Sequence, residues 1–284
     1  MHSSRRPFLR SLRGLAAGIA VFSLIGGTIG GLIGGPIGGL IGFGNAQADV
    51  LENIQQAGTL RVAVPQDFPP FGSVGTDLKP RGYDIDMANL IGEELGVKVE
   101  LIPVTSTNRI PYLTTGKADL VISSLGKNPD REKVIDFSSA YAPFFNGVFG
   151  PEEAQVSKPE DLAGKVVGVT RGSVEDLELT KIAPDTLTIK RFEDNNSTIS
   201  AYLTEQVEFI ATGNVVAASV NDMTDRRPLS AKFLIKNSPC YVGVAKGEPA
   251  LLTEVNAIIA KAKENGALNT IAERWLNAPL PTDL

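Results

Sequence analysis

The stretch SSLGKNPDREKVIDFS, residues 123–138, connects a predicted strand to a predicted helical turn. The apolar run just before it, residues 118–122 (ADLVI), has the length and composition of a buried strand. Pro129 favours the first position of a helical turn, and Arg131 follows within that turn. An arginine close to the C-terminal end of a buried strand has a planar, charged guanidinium group that can donate two hydrogen bonds to a carboxylate. The alternative is a solvated arginine paired with a neighbouring acid on the turn.

Composition excludes several kinds of catalytic and metal site. The chain has 284 residues, 43% of them hydrophobic, which allows one large or two medium domains. The single histidine is His2 and the single cysteine is Cys240. A Ser-His-Asp triad, a Cys-His pair, a histidine-bound metal and an intrachain disulfide are therefore excluded from the folded part, and we expect no cofactor. The net charge of −5 offers no attraction to nucleic acid or anionic lipid.

Residues 1–48 are predicted to be an export leader, and the folded protein begins at Asp49. Arginines precede a long uncharged, glycine-rich run, and Ala46-Gln47-Ala48 offers a small-residue cleavage site. Residues 4–10 (SRRPFLR) resemble the twin-arginine export signal. The alternatives are an ordinary secretory signal and an uncleaved anchor, since the run exceeds the ~20 residues that span a bilayer. Cleavage after Ala48 would release a periplasmic protein with 23 basic and 32 acidic residues.

From residue 49 onward, short apolar runs alternate with helical patterns, which is typical of an α/β fold with mostly parallel sheets. Tyr83–Leu95 carries apolar residues along one helical face. Residues 165–169 (KVVGV) have a buried-strand pattern, and Ser173 behind them is suited to cap a helix whose N-terminus would accept an anion. Residues 65–80 are predicted to be a polar, proline-rich loop.

A family resemblance rests on six motifs that follow one another along the chain. They are GYDIDMANLIGEELGVKVELIPV, TGKADLVISSL, NPDREKVIDFSSAY, DLAGKVVGV, RGS and NGALNTIAERWL. Together they resemble the polar amino-acid solute-binding proteins of ABC importers, over essentially all of residues 49–284. Residues 105–111 (TSTNRIP) and 277–281 (NAPLP) are most similar to the glutamate/aspartate-binding members of that family.

The resemblance implies a type II periplasmic-binding-protein fold of two lobes, each a mostly parallel sheet flanked by helices. Two crossover strands, expected near residues 142–146 and 237–241, would act as the hinge of a ligand-binding cleft. The first lobe would comprise residues 49–143 and 240–284, and the second residues 144–239. The expected protein is a monomer that delivers an amino acid to an ABC permease in the inner membrane.

The resemblance also implies the residues that hold the α-amino and α-carboxylate groups of the ligand. Arg131 matches the arginine that binds the α-carboxylate, and Ser124 matches the residue beside the α-amino and carboxylate groups. Ser173 matches the region of the second lobe that meets the α-carboxylate when the cleft closes. Phe68 matches an aromatic wall of the pocket.

The end of the ligand away from these groups is expected to meet Ser106 and Arg109. In acidic amino-acid binders this pair holds the distal carboxylate. Two arginines, Arg109 and Arg131, in one dry cleft would be costly without anions between them, which favours a ligand with two acidic ends. The alternative for Arg109 is an arginine at a helix start that faces solvent.

Three positions depart from the family pattern. Gly213 stands where an aspartate usually meets the ligand ammonium, Gly126 where many relatives have Ser or Thr, and Asn195 where a histidine helps to hold the distal carboxylate. The ammonium would then meet Asn214, Asp67 or backbone carbonyls, or the ligand has no α-amino group. Restoring the acid with Gly213→Asp is expected to strengthen the binding of α-amino acids.

Two classes of function remain open at this point. The first is a receptor without catalytic residues or a metal site, which binds an acidic amino acid or a dicarboxylate that lacks the amino group. The second is an enzyme on the same scaffold, because secreted cyclohexadienyl dehydratases resemble this family and need one carboxylic acid near the substrate. Asp67 and Glu193 are the acids that would serve in that case.

Overall fold

The structure of the protein is a computed structural model that describes residues 49–284. The predicted leader and its Ala46-Gln47-Ala48 cleavage site lie outside the described residues and remain a prediction. Within the described part, two five-stranded sheets and one small three-stranded sheet organise the chain. None of the helices between residues 49 and 284 is long and apolar enough to cross a membrane.

The strands and helices alternate along much of the chain. The strands are β1 Thr59–Pro65, β2 Asp67–Phe68, β3 Gly72–Val74, β4 Pro80–Arg81, β5 Lys98–Val104, β6 Leu120–Leu125, β7 Ile135–Ala142, β8 Phe145–Gly150, β9 Val166–Thr170, β10 Thr188–Phe192, β11 Phe209–Gly213, β12 Ser230–Asn237 and β13 Cys240–Ala245. The helices are α1 Val50–Ala57, α2 Tyr83–Leu95, α3 Arg109–Thr114, α4 Pro129–Glu132, α5 Val174–Ile182, α6 Asn195–Leu203, α7 Asn214–Met223, α8 Pro249–Glu264 and α9 Ala267–Leu276, with a 3₁₀ turn at Pro159–Leu162.

Each five-stranded sheet combines parallel and antiparallel pairs. The first has the order β5-β1-β6-β13-β7, with β1 parallel to β5 and β6, and β13 antiparallel to β6 and β7. The second has the order β10-β9-β11-β8-β12, with the same division into parallel and antiparallel pairs. We call the parts of the chain built on these sheets the first lobe and the second lobe. The two-lobe α/β fold predicted from the sequence is confirmed.

Two short connections carry the chain between the lobes. The chain leaves the first sheet after β7 and enters the second at β8, and it returns between β12 and β13. We call residues 143–144 and 238–239 in these connections the hinge. The two connections lie side by side, because the Ser238 backbone N–H donates a hydrogen bond of 3.0 Å to the Phe144 carbonyl. The domain limits given above remain a prediction.

An aromatic cluster ties the first lobe to the hinge. It consists of Phe68, Phe71, Tyr83, Tyr141 and Phe144, all of them buried. Phe71 stands at its centre, with ring centroids 5.8 Å from Tyr83 and 5.5 Å from Phe144. Such offset and edge contacts add to the burial of apolar area. The cluster therefore fixes the positions of Phe68 and Phe144, whose outer faces border the cleft between the lobes.

Residues 65–80, predicted to be a loop, contain most of the small antiparallel sheet β2-β3-β4. Its strands have only two or three residues, too few for a period-two hydrophobic pattern to be visible. The backbone at Gly72 packs closely against Pro65, and a Cβ added there would lie 2.1 Å from the Pro65 carbonyl oxygen, so this position requires glycine. This small sheet carries Asp67 and Phe68 to the edge of the cleft.

Candidate functional site

A cavity lies between the two lobes beside the hinge. In this closed arrangement the cavity leaves ≈ 30 Å³ for the centres of water-sized spheres, while the ≈ 520 Å³ of space between its atoms includes open solvent. Its lining comes from both lobes and from the hinge. The lining residues are Pro65, Asp67, Phe68, Val104, Ser106, Arg109, Ser123, Ser124, Gly126, Phe144, Asn146, Thr170, Ser173, Val174, Glu175, Asn195, Ala211, Thr212 and Ser238.

Most of the residues predicted to bind a ligand come together around this cavity. The eight that line it are Asp67, Phe68, Ser106, Arg109, Ser124, Gly126, Ser173 and Asn195. The other two, Arg131 and Asn214, do not line the cavity. Contact of any of the ten with a ligand remains a prediction.

Arg131 lies beside the cavity and is bonded to backbone carbonyls on both sides of the cleft. Its Nη1 donates to the Gly126 carbonyl at 2.7 Å, and its Nη2 donates to the Gly172 carbonyl at 3.0 Å. The side chain is only 6% exposed. Burial, and then the positive charge of Arg109, lowers the pKa of Arg131 to about 9. A guanidinium group has five N–H donors, so these two bonds leave other donors of Arg131 free for a carboxylate.

Asn214 is held by the second sheet and does not reach the cavity. Its side-chain oxygen accepts a hydrogen bond of 3.1 Å from the Phe145 backbone N–H at the start of β8. Asn214 therefore joins the first residue of α7 to β8, and the expected contact with a ligand ammonium has no support in this position.

Arg109 begins α3 and points into the cavity. It is only 4% exposed, so the alternative of an arginine that faces solvent does not hold. Its Nη1 donates to the Ser123 carbonyl at 2.5 Å. Burial lowers the pKa of Arg109, and the negative charge of Glu175 is the largest of the charges that oppose this shift. Arg109 is thus a buried cation, and the opposing charge with the largest effect on its pKa belongs to Glu175 of the second lobe.

Three buried polar atoms of the cavity lining have no hydrogen-bond partner within the described part of the chain. They are Nε of Arg109, the side-chain oxygen of Asn146 and the hydroxyl of Ser238. One comes from the first lobe, one from the second lobe and one from the hinge. An unpartnered buried polar group costs about 1–3 kcal/mol. Their convergence on one cavity indicates a site built for a polar molecule that supplies both a donor and an acceptor.

Glu175 is the acidic residue of the cavity that sequence reasoning missed. It is the second residue of α5 and is 5% exposed. Asn146 Nδ2 donates to its Oε1 at 2.7 Å. A signal was present in the sequence, because Ser173 was predicted to cap this helix at the cleft. The first helical turn, which contains Glu175, therefore had to lie close to the cleft as well.

Two hinge residues occupy the space beside the glycines that depart from the family pattern. A Cβ added at Gly213 would lie 2.0 Å from Cζ of Phe144, so the Phe144 ring stands where a side chain at position 213 would begin. A Cβ added at Gly126 would lie 2.4 Å from the hydroxyl oxygen of Ser238. Ser238 thus places a hydroxyl beside Gly126, a position at which the family resemblance implied Ser or Thr.

Direct hydrogen bonds join the lobes across the cleft. Asp67 Oδ2 accepts from the backbone N–H of Asn195 at 2.7 Å and from its Nδ2 at 3.3 Å. Burial raises the pKa of Asp67, and the hydrogen bond from the Asn195 backbone opposes the rise. Together with the bond from Arg131 to the Gly172 carbonyl, these contacts hold the lobes in a closed arrangement. Asp67 and Asn195 therefore bind each other from opposite lobes.

A buried carboxyl group supports the floor of the site. Asp84 accepts a hydrogen bond of 2.7 Å from the Ser124 backbone N–H and one of 2.5 Å from the Tyr141 hydroxyl. Ser124 has a φ of 39°, a left-handed conformation that is uncommon outside glycine. Complete burial raises the pKa of Asp84 to about 7, although both hydrogen bonds oppose the shift. Asp84 thus fixes an unusual backbone geometry at the cavity wall.

We expect Asp84 to make stability depend on pH. Because its pKa in the folded protein is about 7, the folded chain keeps a proton that the unfolded chain releases above about pH 4. The stability from this group is complete below about pH 4 and is lost as the pH rises towards 7, by up to about 1.4 kcal/mol per pH unit. Asp84→Asn should remove this loss, as measured by urea unfolding across the same pH range.

The matched control for Asp84→Asn is Glu93→Gln, which changes an exposed acid on the same helix. Glu93→Gln should leave the pH dependence of the unfolding free energy as it is in the unmodified protein. If the difference in stability between the protein and its Asp84→Asn variant is the same at every pH, then Asp84 does not carry the buried proton.

Among residues 49–284, no group of three or more His, Cys, Asp or Glu side chains is arranged to hold a metal ion.

The family model for bacterial extracellular solute-binding proteins, family 3, matches residues 60–278. This chain therefore belongs to the bacterial extracellular solute-binding proteins, family 3, as its motifs predicted.

Relatives in sequence are named for the binding of amino acids. The chain is 24% identical over 237 residues to the L-cystine-binding protein TcyJ of Escherichia coli (strain K12), covering 82% of this chain and 88% of that protein. It is 27% identical over 236 residues to the ABC transporter glutamine-binding protein GlnH of Bacillus subtilis (strain 168), covering 81% and 86%. Other relatives are named for histidine and arginine.

Solved structures share the fold over most of the chain. The cysteine-binding protein from Campylobacter jejuni has a TM-score of 0.76 and 26% identity, covering 83% of this chain and 96% of that one. An ancestral amino acid-binding protein, described as a precursor of cyclohexadienyl dehydratase, has a TM-score of 0.74 and 29% identity, covering 80% and 99%.

Proposed function

We propose that this protein is a periplasmic receptor that captures one amino acid between its lobes and delivers it to an ABC permease of the inner membrane. The observation that carries this proposal is the convergence of three unpartnered buried polar atoms on one cavity. A zwitterion supplies the acceptor that Arg109 Nε needs and the donor that the Asn146 oxygen needs. Family membership and relatives named for amino acids support the same function.

The charges of the cavity favour a ligand with one positive and one negative end. Arg109 and Glu175 both line it. No ion pair joins these two side chains among those of residues 49–284, although the charge of Glu175 acts on the pKa of Arg109. The two opposite charges therefore face the cavity at a distance, and a carboxylate and an ammonium group would complement them.

The charges around the cavity favour an acidic ligand less strongly than the sequence indicated. The expectation from the sequence counted two arginines in the pocket and noted that the usual aspartate is absent at Gly213. Arg131 has both Nη groups on the carbonyls of Gly126 and Gly172, and Glu175 adds a negative charge to the lining. We therefore propose an α-amino acid with an uncharged polar side chain, and the relatives named for cystine and glutamine agree with this choice. Glutamate, aspartate and a dicarboxylate without the amino group become the alternatives to be tested.

Two measurements test this proposal. Mass spectrometry of the small molecules released by denaturing the purified protein would identify a ligand that remains bound through purification. Calorimetric titration with L-glutamine, L-cystine, L-glutamate, L-arginine and glutarate would then rank ligand classes. We expect an uncharged amino acid to bind most tightly and glutarate to bind weakly, because Glu175 repels a ligand without an ammonium group. Tighter binding of glutarate than of every amino acid would contradict the proposal.

A dehydratase is the second candidate, because Asp67 lines the cavity and burial raises its pKa, as a general acid requires. Glu193, the other suspected acid, is 74% exposed and pairs with Arg171. Asp67 already accepts two hydrogen bonds from Asn195 across the cleft. We therefore expect no turnover when the protein is incubated with prephenate or arogenate, and release of carbon dioxide and water from either would establish the enzyme instead.

A further inference from the structure

We infer that Glu175 and Asn146 together form the subsite for the ammonium group of the ligand. This inference rests on the proposed function, and it specifies which residues distinguish an amino acid from the same acid without its amino group. Neither residue was singled out by the sequence, because the usual acid of the family belongs at position 213, where this chain has Gly213.

The two residues already form a preorganised pair. Asn146 Nδ2 donates to Glu175 Oε1 at 2.7 Å, which turns the side-chain oxygen of Asn146 away from Glu175. That oxygen is buried and has no partner within residues 49–284, in a side chain that is 1% exposed. In the same part of the chain, Glu175 accepts from no donor other than Asn146. The second oxygen of the Glu175 carboxylate and the fixed amide oxygen of Asn146 therefore both lack a donor at one wall of the cavity.

The position of Asn146 links this pair to Gly213. Asn146 on β8 is the direct partner of Gly213 on β11 in the antiparallel register. Directly opposed residues of antiparallel strands have Cβ atoms about 4.5–5.5 Å apart. The Phe144 ring fills the space in which a side chain at 213 would begin. Strand β11 ends at Gly213 and brings no acid to the cavity. We infer that Glu175, in the first turn of α5, supplies the negative charge instead, held by its hydrogen bond from Asn146 on the neighbouring strand β8.

Other groups near the cavity fit an ammonium ion less well. Asp67 uses its Oδ2 for two hydrogen bonds from Asn195, and burial raises the pKa of Asp67, which disfavours the charged form that attracts an ammonium ion. Asn214 does not line the cavity, and its oxygen accepts from the Phe145 backbone. Glu175 also stands opposite Arg109 in the lining, so an amino acid bound between them would have its carboxylate near one charge and its ammonium near the other. The pair thus fixes the orientation of the ligand as well as its class.

Calorimetry with matched probes tests the subsite. The probes are the twenty common L-amino acids and L-cystine, and for each one that binds, the corresponding acid without its amino group. Glu175→Gln keeps the size of the side chain and removes its charge. It should weaken the binding of each amino acid by at least about tenfold, the loss expected for a hydrogen bond to a charged group. Binding of the matched des-amino acid should be unchanged or stronger, because the repulsive charge is gone.

Glu178→Gln is the matched control, since Glu178 lies on the same helix outside the cavity and pairs with Lys181 and Lys236. It should change neither affinity. Binding of the des-amino acid also shows that the Glu175→Gln variant is folded. If thermal melting shows that it is not, Asn146→Ser carries the test with the same expected selectivity.

The outcomes separate the two levels of the proposal. If no amino acid binds the unmodified protein, the proposed function fails and the subsite fails with it. If amino acids bind and Glu175→Gln retains their affinity, the receptor stands and the subsite is overturned. The same holds if Asp67→Asn, rather than Glu175→Gln, selectively weakens the amino acids.

Discussion

Arg109→Met should lower the affinity for an amino-acid ligand by at least about a hundredfold, since removing one partner of a buried charge pair costs about 3–5 kcal/mol. Arg109 is the only arginine that lines the cavity between the lobes, as far as residues 49–284 show, and its Nε has no protein partner there. A bound carboxylate would meet this donor in a site shielded from water, where charge-assisted hydrogen bonds are strongest. Methionine retains most of the length of the side chain and removes the charge.

Arg81→Met is the control for this prediction, because Arg81 is an exposed arginine of the first lobe that pairs with Asp77. Its affinity by calorimetric titration should equal that of the unmodified protein. Arg109→Lys adds a second comparison, since lysine restores the charge without the planar fork and should recover only part of the affinity. If Arg109→Met binds normally and melts cooperatively, the ligand does not reach Arg109 and the assigned site is wrong.

The elements that the sequence predicted well are those with a complete local signal. Helix α2 spans Tyr83–Leu95 as predicted, with Ile85, Ala88 and Ile91 buried and Gly96 in the left-handed conformation at its end. The periodic apolar face and the glycine that ends the helix are both visible in the sequence of the helix itself. Its burial against the first sheet then follows from the alternation of strands and helices.

Elements without such a signal were missed. Helix α7, Asn214–Met223, follows β11 directly and has no side-chain cap. Its first residue bonds to β8 through the side chain instead. Strand β7, Ile135–Ala142, owes its place to antiparallel pairing with β13, which lies about one hundred residues further along the chain. Contacts of that kind depend on the assembled sheet, so the local pattern could not reveal them.

The features of the site also divide into those that the sequence identifies and those that depend on contacts in the folded structure. The family resemblance identified eight residues that do line the cavity. It did not reveal the partners of Arg131, since a carbonyl and a ligand carboxylate are both acceptors for the same fork. It also did not reveal that Glu175 replaces the acid missing at Gly213, because that replacement depends on the pairing of β8 with β11.

Gly213→Asp should weaken ligand binding and destabilise the fold, the opposite of what the charge pattern of the sequence indicated. A Cβ at position 213 would lie 2.0 Å from Cζ of Phe144. The Phe144 ring cannot easily move away, because it is buried against Phe68 and Phe71 with ring centroids 6.0 Å and 5.5 Å apart. Overpacking of this kind costs about 1–3 kcal/mol. A new carboxylate next to Glu175 and Asn146 would add the cost of a buried charge without a partner of its own.

A double-mutant cycle separates the steric cause from the charge. Gly213→Ala introduces the clash without the carboxylate, and urea unfolding should show a loss of about 1–3 kcal/mol. Phe144→Ala empties the space that the new methyl group needs, so the double variant should be more stable than the sum of the two single losses predicts. The coupling should lie in the range of about 0.5–3 kcal/mol found for residues in contact. Additive losses would mean that Phe144 does not exclude a side chain at position 213, and the acid could then be restored there as the family pattern suggests.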